Sequence, residues 1–308
     1  MKHQKNVIII TGPTGIGKTG LSIEIARRFD SSIISADSRQ IYREMKIGTA
    51  APTAEQMEKA PHHLIGARSI FEYYNAYEYE QEALSIAIEL LKSSDVAVLT
   101  GGSMMYIDAF CHGIDDLPTV DPRLRDDLQK QYENEGIESI RRQLKMLDPD
   151  FYRQVDLKNP KRVIHAVEMC LMTGRPYSQL RTNPRKERPF GIIKTALDMD
   201  RNALHQRINH RVDKMFDQDL EEEARALYPH KELNALNTVG YRELFQYFDG
   251  ARSRDEAIRL IKRNTRRYAR KQLSWFRRDK EISWFSPDNP GEMIKFVERK
   301  LRYAGARI

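Results

Sequence analysis

The stretch VIIITGPTGIGKTG, residues 7–20, decides the fold class of this chain of 308 residues. It opens with a short apolar run from Val7 to Thr11, which glycine ends at once. Such a run is typical of a parallel strand that is buried on both faces of its sheet. A helical pattern follows from Lys18 to Phe29, with apolar side chains recurring on one face. The stretch therefore predicts a strand, a glycine-rich loop and a helix in direct succession.

The same alternation of strand and helix continues through the N-terminal part of the chain and returns after residue 189. Strands that alternate with helices imply right-handed crossovers and a parallel sheet. The predicted fold class is therefore α/β, with a P-loop NTPase-like parallel sheet core that helices flank. Further strands are predicted at 32–35, 96–100 and 190–199, and further helices at 79–92, 201–216, 254–278 and 291–303.

The middle of the chain has a different character, because it carries helix signals and hardly any strand pattern. Proline occupies the first position of three predicted helices, where its missing N–H costs nothing. The segment from Asn183 to Pro189 is polar, basic and proline-bearing, which favours a linker. We therefore predict an all-helical insertion domain at 119–189 within a core made of residues 1–118 and 190–308. The three helix starts are Asp121-Pro122, Asp148-Pro149 and Asn159-Pro160.

Composition excludes several classes of protein. The chain has 51 Lys+Arg against 44 Asp+Glu, a net charge of +7. Its longest aliphatic run, Val7 to Ile10, is far shorter than the ~20 residues that span a bilayer, so we expect no membrane segment and no signal peptide. Two cysteines, Cys111 and Cys170, are too few for a disulfide framework or a cysteine zinc site. Free thiols and no targeting segment predict a cytoplasmic protein.

Positive charge is concentrated between Arg252 and Arg278, where the only acids are Asp255 and Glu256. Like charges one helical turn apart repel, so this density favours a polyanionic partner. A solvated helix face is the alternative. Three aromatic residues in the same segment either stack on bases or form the buried stripe of the helix, which is the favoured interpretation for the last two. They are Tyr268, Trp275 and Phe276.

Residues 12–19 fit the P-loop pattern G-x-x-x-x-G-K-[ST], between a predicted strand and a predicted helix. Backbone N–H groups of such a loop point into one concavity and bind phosphate. Lys18 would reach the outer phosphates, and Thr19 would place its hydroxyl on Mg²⁺. An ordinary glycine-rich turn is the alternative. The pattern predicts binding of a diphosphate or triphosphate, but not which group is transferred. The predicted phosphate-binding residues are Gly12, Pro13, Thr14, Gly15, Ile16, Gly17, Lys18 and Thr19.

Together with the P-loop, eight further segments resemble the tRNA dimethylallyltransferase family, the isopentenyl transferases that modify an adenosine beside the anticodon. The resemblance covers nearly the whole chain, and its weight comes from the order and spacing of the segments, because each one alone is weak. The segments are DSRQIY (37–42), IGTA (47–50), PHHL (61–64), GGSMMY (101–106), NPKR (159–162), LHQRI (204–208), VGYR (239–242) and RKQLSWF (270–276).

The resemblance implies transfer of the dimethylallyl group from dimethylallyl diphosphate to N6 of the adenosine next to the tRNA anticodon. The P-loop and Mg²⁺ would then neutralise the leaving diphosphate. Arg207 and Arg211, four residues apart on one helix face, could add a cationic clamp, and surface arginines are the alternative. Asp37 matches the family's base, with a turn cap as the alternative. Ser103 stands where the family has threonine and retains the hydroxyl.

For the RNA, the resemblance implies a bound anticodon stem-loop whose target base leaves the stack. His165 stands where the family often has arginine, and the chain ends without the zinc finger of many eukaryotic members, so it looks like the bacterial form. We expect a monomer, no structural metal, and a solvated face at Glu221 to Glu223. The residues expected at the RNA are Asp37, Ser38, Arg39, Gln40, Ser103, Arg125, Lys161, Arg162, Gly240, Tyr241 and Arg242.

Three other functions remain open from the residues. A prenyltransferase for free adenine nucleotides would need no clamp for an RNA stem. A P-loop kinase for a small metabolite would use Gly12 to Thr19 but would leave the basic helix unexplained. A non-catalytic RNA-binding module would not need the P-loop.

Overall fold

A computed structural model describes residues 5–182 and 185–303 of the chain. The chain divides into two compact units, and each is described by itself. The core unit comprises Met1–Cys111 and Glu187–Ile308, and the helical unit comprises His112–Lys186. The units thus divide a few residues before each of the predicted bounds, 119 and 189. Asn183 and Pro184 of the predicted linker lie outside the described residues.

The core unit contains a six-stranded parallel sheet in the order β3-β2-β4-β1-β5-β6. The predicted α/β class, a parallel sheet with the P-loop directly after the first strand, is confirmed. The sequence patterns missed β3 and β6, and β5 ends two residues before its predicted end. The strands are β1 (Asn6–Thr11), β2 (Ile33–Ala36), β3 (His62–His63), β4 (Val96–Gly101), β5 (Gly191–Leu197) and β6 (Ser283–Phe285).

Strand β1 lies at the centre of the sheet, where Ile8 pairs with Val98 of β4 and with Ile193 of β5. Val7 and Ile9 pack in one apolar cluster, and Ile8 and Ile10 in a second one. Side chains alternate along a strand, so the two clusters cover opposite faces of the sheet. Burial on both faces explains why β1 is an unbroken apolar run.

Helices make up most of the rest of the chain, together with two 3-10 helices at Tyr228–His230 and Asn234–Leu236. No described helix is long and apolar enough to cross a membrane. Before the helical unit come α1 (Lys18–Arg28), α2 (Ala54–Lys59), α3 (Ala76–Ser93) and α4 (Met104–His112). The next are α5 (Pro122–Glu135), α6 (Ile137–Leu147), α7 (Pro149–Gln154), α8 (Pro160–Thr173) and α9 (Tyr177–Leu180). The last are α10 (Arg201–Asp217), α11 (Leu220–Leu227), α12 (Tyr241–Phe248), α13 (Arg254–Phe276) and α14 (Pro290–Tyr303).

The helical unit begins three of its helices as the sequence predicts. The side chains of Asp121, Asp148 and Asn159 each accept a hydrogen bond from a backbone N–H of the following helix, and proline is the first helical residue each time. Such caps satisfy donors that the helix itself leaves unpaired. The apolar faces of the helices then form a core of their own, in which Ile140, Leu144, Val163 and Val167 are fully buried.

Candidate active site

The P-loop connects β1 to α1 and closes on its own lysine. The φ angle of Gly12 is 137°, and a Cβ there would lie 2.8 Å from the carbonyl oxygen of Leu197, so only glycine fits. The Lys18 ammonium donates hydrogen bonds to the carbonyl oxygens of Gly12 (3.0 Å) and Pro13 (2.9 Å). The Lys18 ammonium is therefore hydrogen-bonded to the backbone of the same loop that precedes it.

Two partly buried cations line the loop cavity beside each other. Burial, reinforced by the neighbouring Arg211 guanidinium, lowers the pKa of Lys18 to about 8, while the Asp37 carboxylate opposes this shift. Burial also lowers the pKa of Arg211, again opposed by Asp37. The positive charges of Lys18 and Arg211 therefore destabilise each other, and an anion bound between them would relieve this repulsion.

Helix α10 brings only one of the two predicted clamp arginines into the site. Arg211 donates a hydrogen bond to the carbonyl oxygen of Thr49 at 3.2 Å and lines the cavities described below. Arg207 is exposed, contacts the carbonyl oxygen of Ile16 at 3.3 Å and forms an ion pair with Asp288 at 2.9 Å. Arg211 thus lies in the loop cavity, whereas Arg207 lies outside it, and a clamp of the two arginines stays a prediction.

Two cavities meet at the carboxyl ends of the strands. The loop cavity, of about 560 Å³, is lined by the P-loop, the turn after β4 and part of α13, with Lys18 and Thr19 among its walls. The adjoining cavity, of about 360 Å³, is lined by residues after β2, by α10 and by α13. Four residues line both cavities, and they mark the place where the two meet. These four are Thr14, Asp37, Arg211 and Tyr268.

Asp37 directly follows β2 and lies at this junction. Its Oδ1 accepts hydrogen bonds from the backbone N–H groups of Arg39 (2.9 Å) and Gln40 (3.3 Å). The turn cap considered from the sequence is therefore present. No described residue donates a hydrogen bond to Oδ2, so this oxygen remains available to a ligand.

Ser103 fixes the neighbouring segment. Its Oγ accepts a hydrogen bond from the backbone N–H of Ser38 at 2.7 Å and donates one to the Ser38 hydroxyl at 3.1 Å. Ser38 and Arg39 line the adjoining cavity. Gln40 donates to the carbonyl oxygens of Thr49 and Ala50, both at 3.1 Å, and thereby joins two loops. The structure brings all four predicted residues, 37–40, to the site.

Gln272 belongs to the site, although no sequence pattern selected it apart from the motif that contains it. Its Oε1 accepts a hydrogen bond from the backbone N–H of Thr14, and its Nε2 donates one to the carbonyl oxygen of Gly102, both at 2.8 Å. The side chain is 2% exposed. A polar residue on the buried face of α13 was the one available signal, because buried polar groups are normally hydrogen-bonded.

The predicted RNA segment around residue 241 is divided between the adjoining cavity and the core. Gly240 and Arg242 line the adjoining cavity. Tyr241 is fully buried and donates a hydrogen bond to Glu223 at 2.6 Å, so its side chain packs in the core, and its contact with RNA stays a prediction. The prediction of a solvated face is wrong for Glu223, because its carboxylate accepts hydrogen bonds from three backbone N–H groups. The donors are Lys46, Ile47 and Gly48.

In the helical unit, Arg125 forms a two-point ion pair with Glu168 at 2.8 and 3.0 Å. His165 approaches the same carboxylate at 3.2 Å. Burial would raise the pKa of Glu168, but the hydrogen bonds from Arg125 and His165 outweigh it and lower that pKa to about 2. Lys161 and Arg162 are exposed in the first turn of α8. Arg125 is thus held in a fixed orientation, whereas the other two predicted cations face solvent.

Helix α13 carries most of the basic segment, and several of its cations fall into two groups. One group is bound to neighbouring side chains, as Arg254 is to Glu221 (2.7 Å) and Lys262 to Asp213 (2.5 Å). The other group is exposed and lines a third cavity. It consists of Arg263, Arg267 and Arg270.

The aromatic residues of α13 also divide. Phe276 is buried in the core, and Trp275 donates a hydrogen bond to Asp108 at 2.9 Å, which fits the buried stripe. Tyr268 instead lines the two cavities of the site. Trp275 and Phe276 thus fit the buried stripe, whereas stacking of Tyr268 on a base stays a prediction.

Comparison with known proteins agrees with the segments found in the sequence. A family model described as IPP transferase matches residues 40–279. A relative named tRNA dimethylallyltransferase 1, from Bacteroides fragilis, is 52% identical over 97% of this chain and 99% of its own length. Another, tRNA dimethylallyltransferase 2 from Parabacteroides distasonis, is 56% identical over 96% and 99%.

Solved structures show the same fold. The crystal structure of a tRNA isopentenylpyrophosphate transferase from Bacillus halodurans matches with a TM-score of 0.72 at 32% identity, over 98% of both chains. A eukaryotic dimethylallyltransferase acting on tRNA matches with a TM-score of 0.77 over 99% of this chain and 81% of its own, and its 22% identity supports the fold alone. With a family model that covers most of its length and relatives more than half identical to it, this chain belongs to the IPP transferase family.

Proposed function

We propose that this protein transfers the dimethylallyl group of dimethylallyl diphosphate to N6 of the adenosine next to the tRNA anticodon, releasing diphosphate. The names of its relatives support the activity. The observation that carries the proposal is the junction of two cavities at Asp37, one of them lined by a P-loop. A donor in the loop cavity and an acceptor base in the adjoining cavity would meet at that carboxylate.

The loop cavity suits the diphosphate of the donor. Loop N–H groups, Lys18 and Arg211 would neutralise the charge that accumulates on the leaving oxygen as the carbon–oxygen bond breaks. Because Lys18 and Arg211 are partly desolvated and already repel each other, a bound diphosphate would stabilise both charges. The hydrocarbon end would then point towards the junction.

The residues present fit a Mg²⁺ ion that arrives with the donor. The described residues contain no group of three or more His, Cys, Asp or Glu that could hold a metal by themselves. Mg²⁺ often binds through one or two protein ligands, with phosphate oxygens and water completing the shell. The Thr19 hydroxyl, in the wall of the loop cavity, would be the protein ligand. The ion would supply further positive charge to the leaving diphosphate.

Asp37 is proposed as the base. The adenine amine is a weak nucleophile because its lone pair is delocalised into the ring, so loss of its proton must accompany formation of the C–N bond. With Oδ1 held by Arg39 and Gln40, Oδ2 is in position to accept that proton. A positioned base of this kind contributes about 10²–10⁴-fold to the rate. Ser103 would keep Ser38 against the adenine.

The RNA partner is proposed to be the anticodon stem-loop, whose bases can be extruded into a pocket. Exposed cations are available for its phosphates on both units: Arg263, Arg267 and Arg270 on α13, and Lys161 and Arg162 on α8. We propose that the protein acts as a monomer in the cytoplasm, where tRNA is modified.

The experiment is a transfer assay with purified protein, Mg²⁺, dimethylallyl diphosphate labelled in the allylic carbon, and tRNA from a strain that lacks the modification. We expect the label in a prenylated adenosine, identified by mass spectrometry of the digested RNA. Label on AMP but not on tRNA would replace the proposal with a nucleotide prenyltransferase. Absence of label on any adenine, with phosphate transfer from ATP to a metabolite, would replace it with a kinase.

A further inference from the structure

The junction of the loop cavity and the adjoining cavity has one wall residue that the proposed function leaves without a role. Of the four residues that line both cavities, Asp37 is the proposed base, Arg211 a cation for the diphosphate and Thr14 part of the P-loop. The fourth is Tyr268, an aromatic residue of α13. The reacting carbon must lie at this junction, because it leaves one ligand for the other.

Tyr268 is held firmly relative to the P-loop. It lies one helical turn before Gln272, which is hydrogen-bonded to the backbone of Thr14. The Ser103 side chain lies near its hydroxyl and lowers the pKa of Tyr268, against the larger effect of burial. In residues 5–182 and 185–303, no aromatic ring or cation stacks on the ring of Tyr268. The position of the ring is therefore fixed by α13. Among the described residues, no aromatic ring or cation covers its face, so a ligand can bind there.

The proposed transfer places positive charge on the allyl group, and the face of an aromatic ring can stabilise that charge. The C1–O bond breaks, the diphosphate leaves with the electron pair, the C1–N6 bond forms, and the N6 proton passes to Asp37. In the transition state, bond breaking places positive charge on the allyl group, shared between C1 and C3. A delocalised hydrocarbon cation accepts no hydrogen bonds, but the negative face of an aromatic ring attracts it.

We propose that Tyr268 is a catalytic residue whose ring face stabilises the allyl cation that develops during transfer. This rests on the proposed function. The phenol does not compete with Asp37 for the proton, because burial raises the pKa of Tyr268 to about 12 and the hydroxyl stays protonated near neutral pH. The ring thus contributes through its electrons, and its orientation is set by its place on α13 beside Gln272.

The test replaces Tyr268 with phenylalanine and then with phenylalanines bearing one, two and three fluorine atoms, which withdraw electrons from the ring with little change of shape. The single-turnover rate is measured with saturating donor and tRNA. We expect Tyr268→Phe to retain the rate within about threefold, and the rate to fall with each fluorine to about one tenth across the series. Affinity for inorganic diphosphate should stay constant throughout, which shows that the loop cavity is intact.

Tyr247 offers a matched control, because it is partly buried on α12 and packs against Phe248 with ring centroids 5.4 Å apart. The same fluorinated series at position 247 should leave the rate unchanged. If the wild-type protein transfers the label and the series at position 268 is flat, Tyr268 has no electronic role and this inference is overturned. If the wild-type protein transfers no label to any adenine, the proposed function itself fails.

Discussion

The backbone N–H of Thr14 donates a 2.8 Å hydrogen bond to Oε1 of Gln272, which lies 258 residues further along the chain. The other end of the same amide donates to Gly102, in the turn after β4. A Cβ at position 102 would lie 2.3 Å from that Nε2, so any larger residue there would displace the Gln272 amide. One buried side chain therefore joins the P-loop, a strand end and α13, and the shape of the loop cavity depends on it.

Replacing Gln272 should weaken donor binding. Gln272→Met has a similar size but leaves the Thr14 N–H and the Gly102 carbonyl without partners, at about 1–3 kcal/mol for each buried group. We expect the affinity for inorganic diphosphate, measured by calorimetry, to fall about tenfold or more. Gln246, exposed on α12, supplies the control: Gln246→Met should bind as the wild type does. Equal affinity of the two variants would contradict the clamp.

Donor affinity should fall as the pH rises through about 8, where Lys18 titrates. The sign follows from the anion: diphosphate favours charged Lys18, and the ligand-free protein loses that charge above its lowered pKa. The loss can approach tenfold per pH unit above that point. Calorimetry of diphosphate binding below and above pH 8 measures it. Because Lys18→Met lacks the titrating amine, its pH profile of affinity shows the titration of diphosphate alone. If the wild type and Lys18→Met gave parallel profiles, Lys18 would not be the group responsible.

Asp37→Asn separates the two functions of this side chain. An amide oxygen can still accept the hydrogen bonds from Arg39 and Gln40, but it cannot take the proton. We expect single-turnover transfer to fall by about 10²–10⁴-fold, with diphosphate affinity retained and the melting temperature nearly unchanged. Because Asp37 raises the pKa of Lys18, its neutralisation should also move the pH-dependent loss of donor affinity to lower pH. A variant with the wild-type rate would exclude Asp37 as the base.

Thr19→Ala tests the proposed ligand of Mg²⁺. Without the hydroxyl, the ion would depend on the diphosphate and water alone, so we expect a higher Mg²⁺ concentration for half-maximal transfer. Thr19→Ser keeps the hydroxyl and should restore the wild-type requirement. If alanine and serine variants show the same metal dependence as the wild type, Thr19 does not bind the ion.

The sequence predicted those parts of the site that are formed by residues adjacent in the chain. The P-loop, β1 and α1 are encoded by adjacent residues, and their bounds agree to within a residue or two. β3 and β6 have two and three residues, too few for a periodic pattern, and they exist because neighbouring strands supply partners. Gln272 and Glu223 were missed because their backbone partners lie 170 residues or more away. The fold must bring such partners together before their roles can be seen.

The exposed arginines of α13 should account for part of the salt dependence of tRNA binding. Arg263, Arg267 and Arg270 face solvent, whereas Arg254 is paired with Glu221 at 2.7 Å. For each phosphate that an arginine no longer neutralises, the slope of log affinity against log salt should become shallower by about one. We expect Arg263→Gln combined with Arg267→Gln to flatten the slope, and Arg254→Gln to leave it unchanged because that arginine is already neutralised. Binding of tRNA measured over a series of salt concentrations gives these slopes. If the double variant keeps the wild-type slope, this face of α13 is only solvated, as the alternative from the sequence holds.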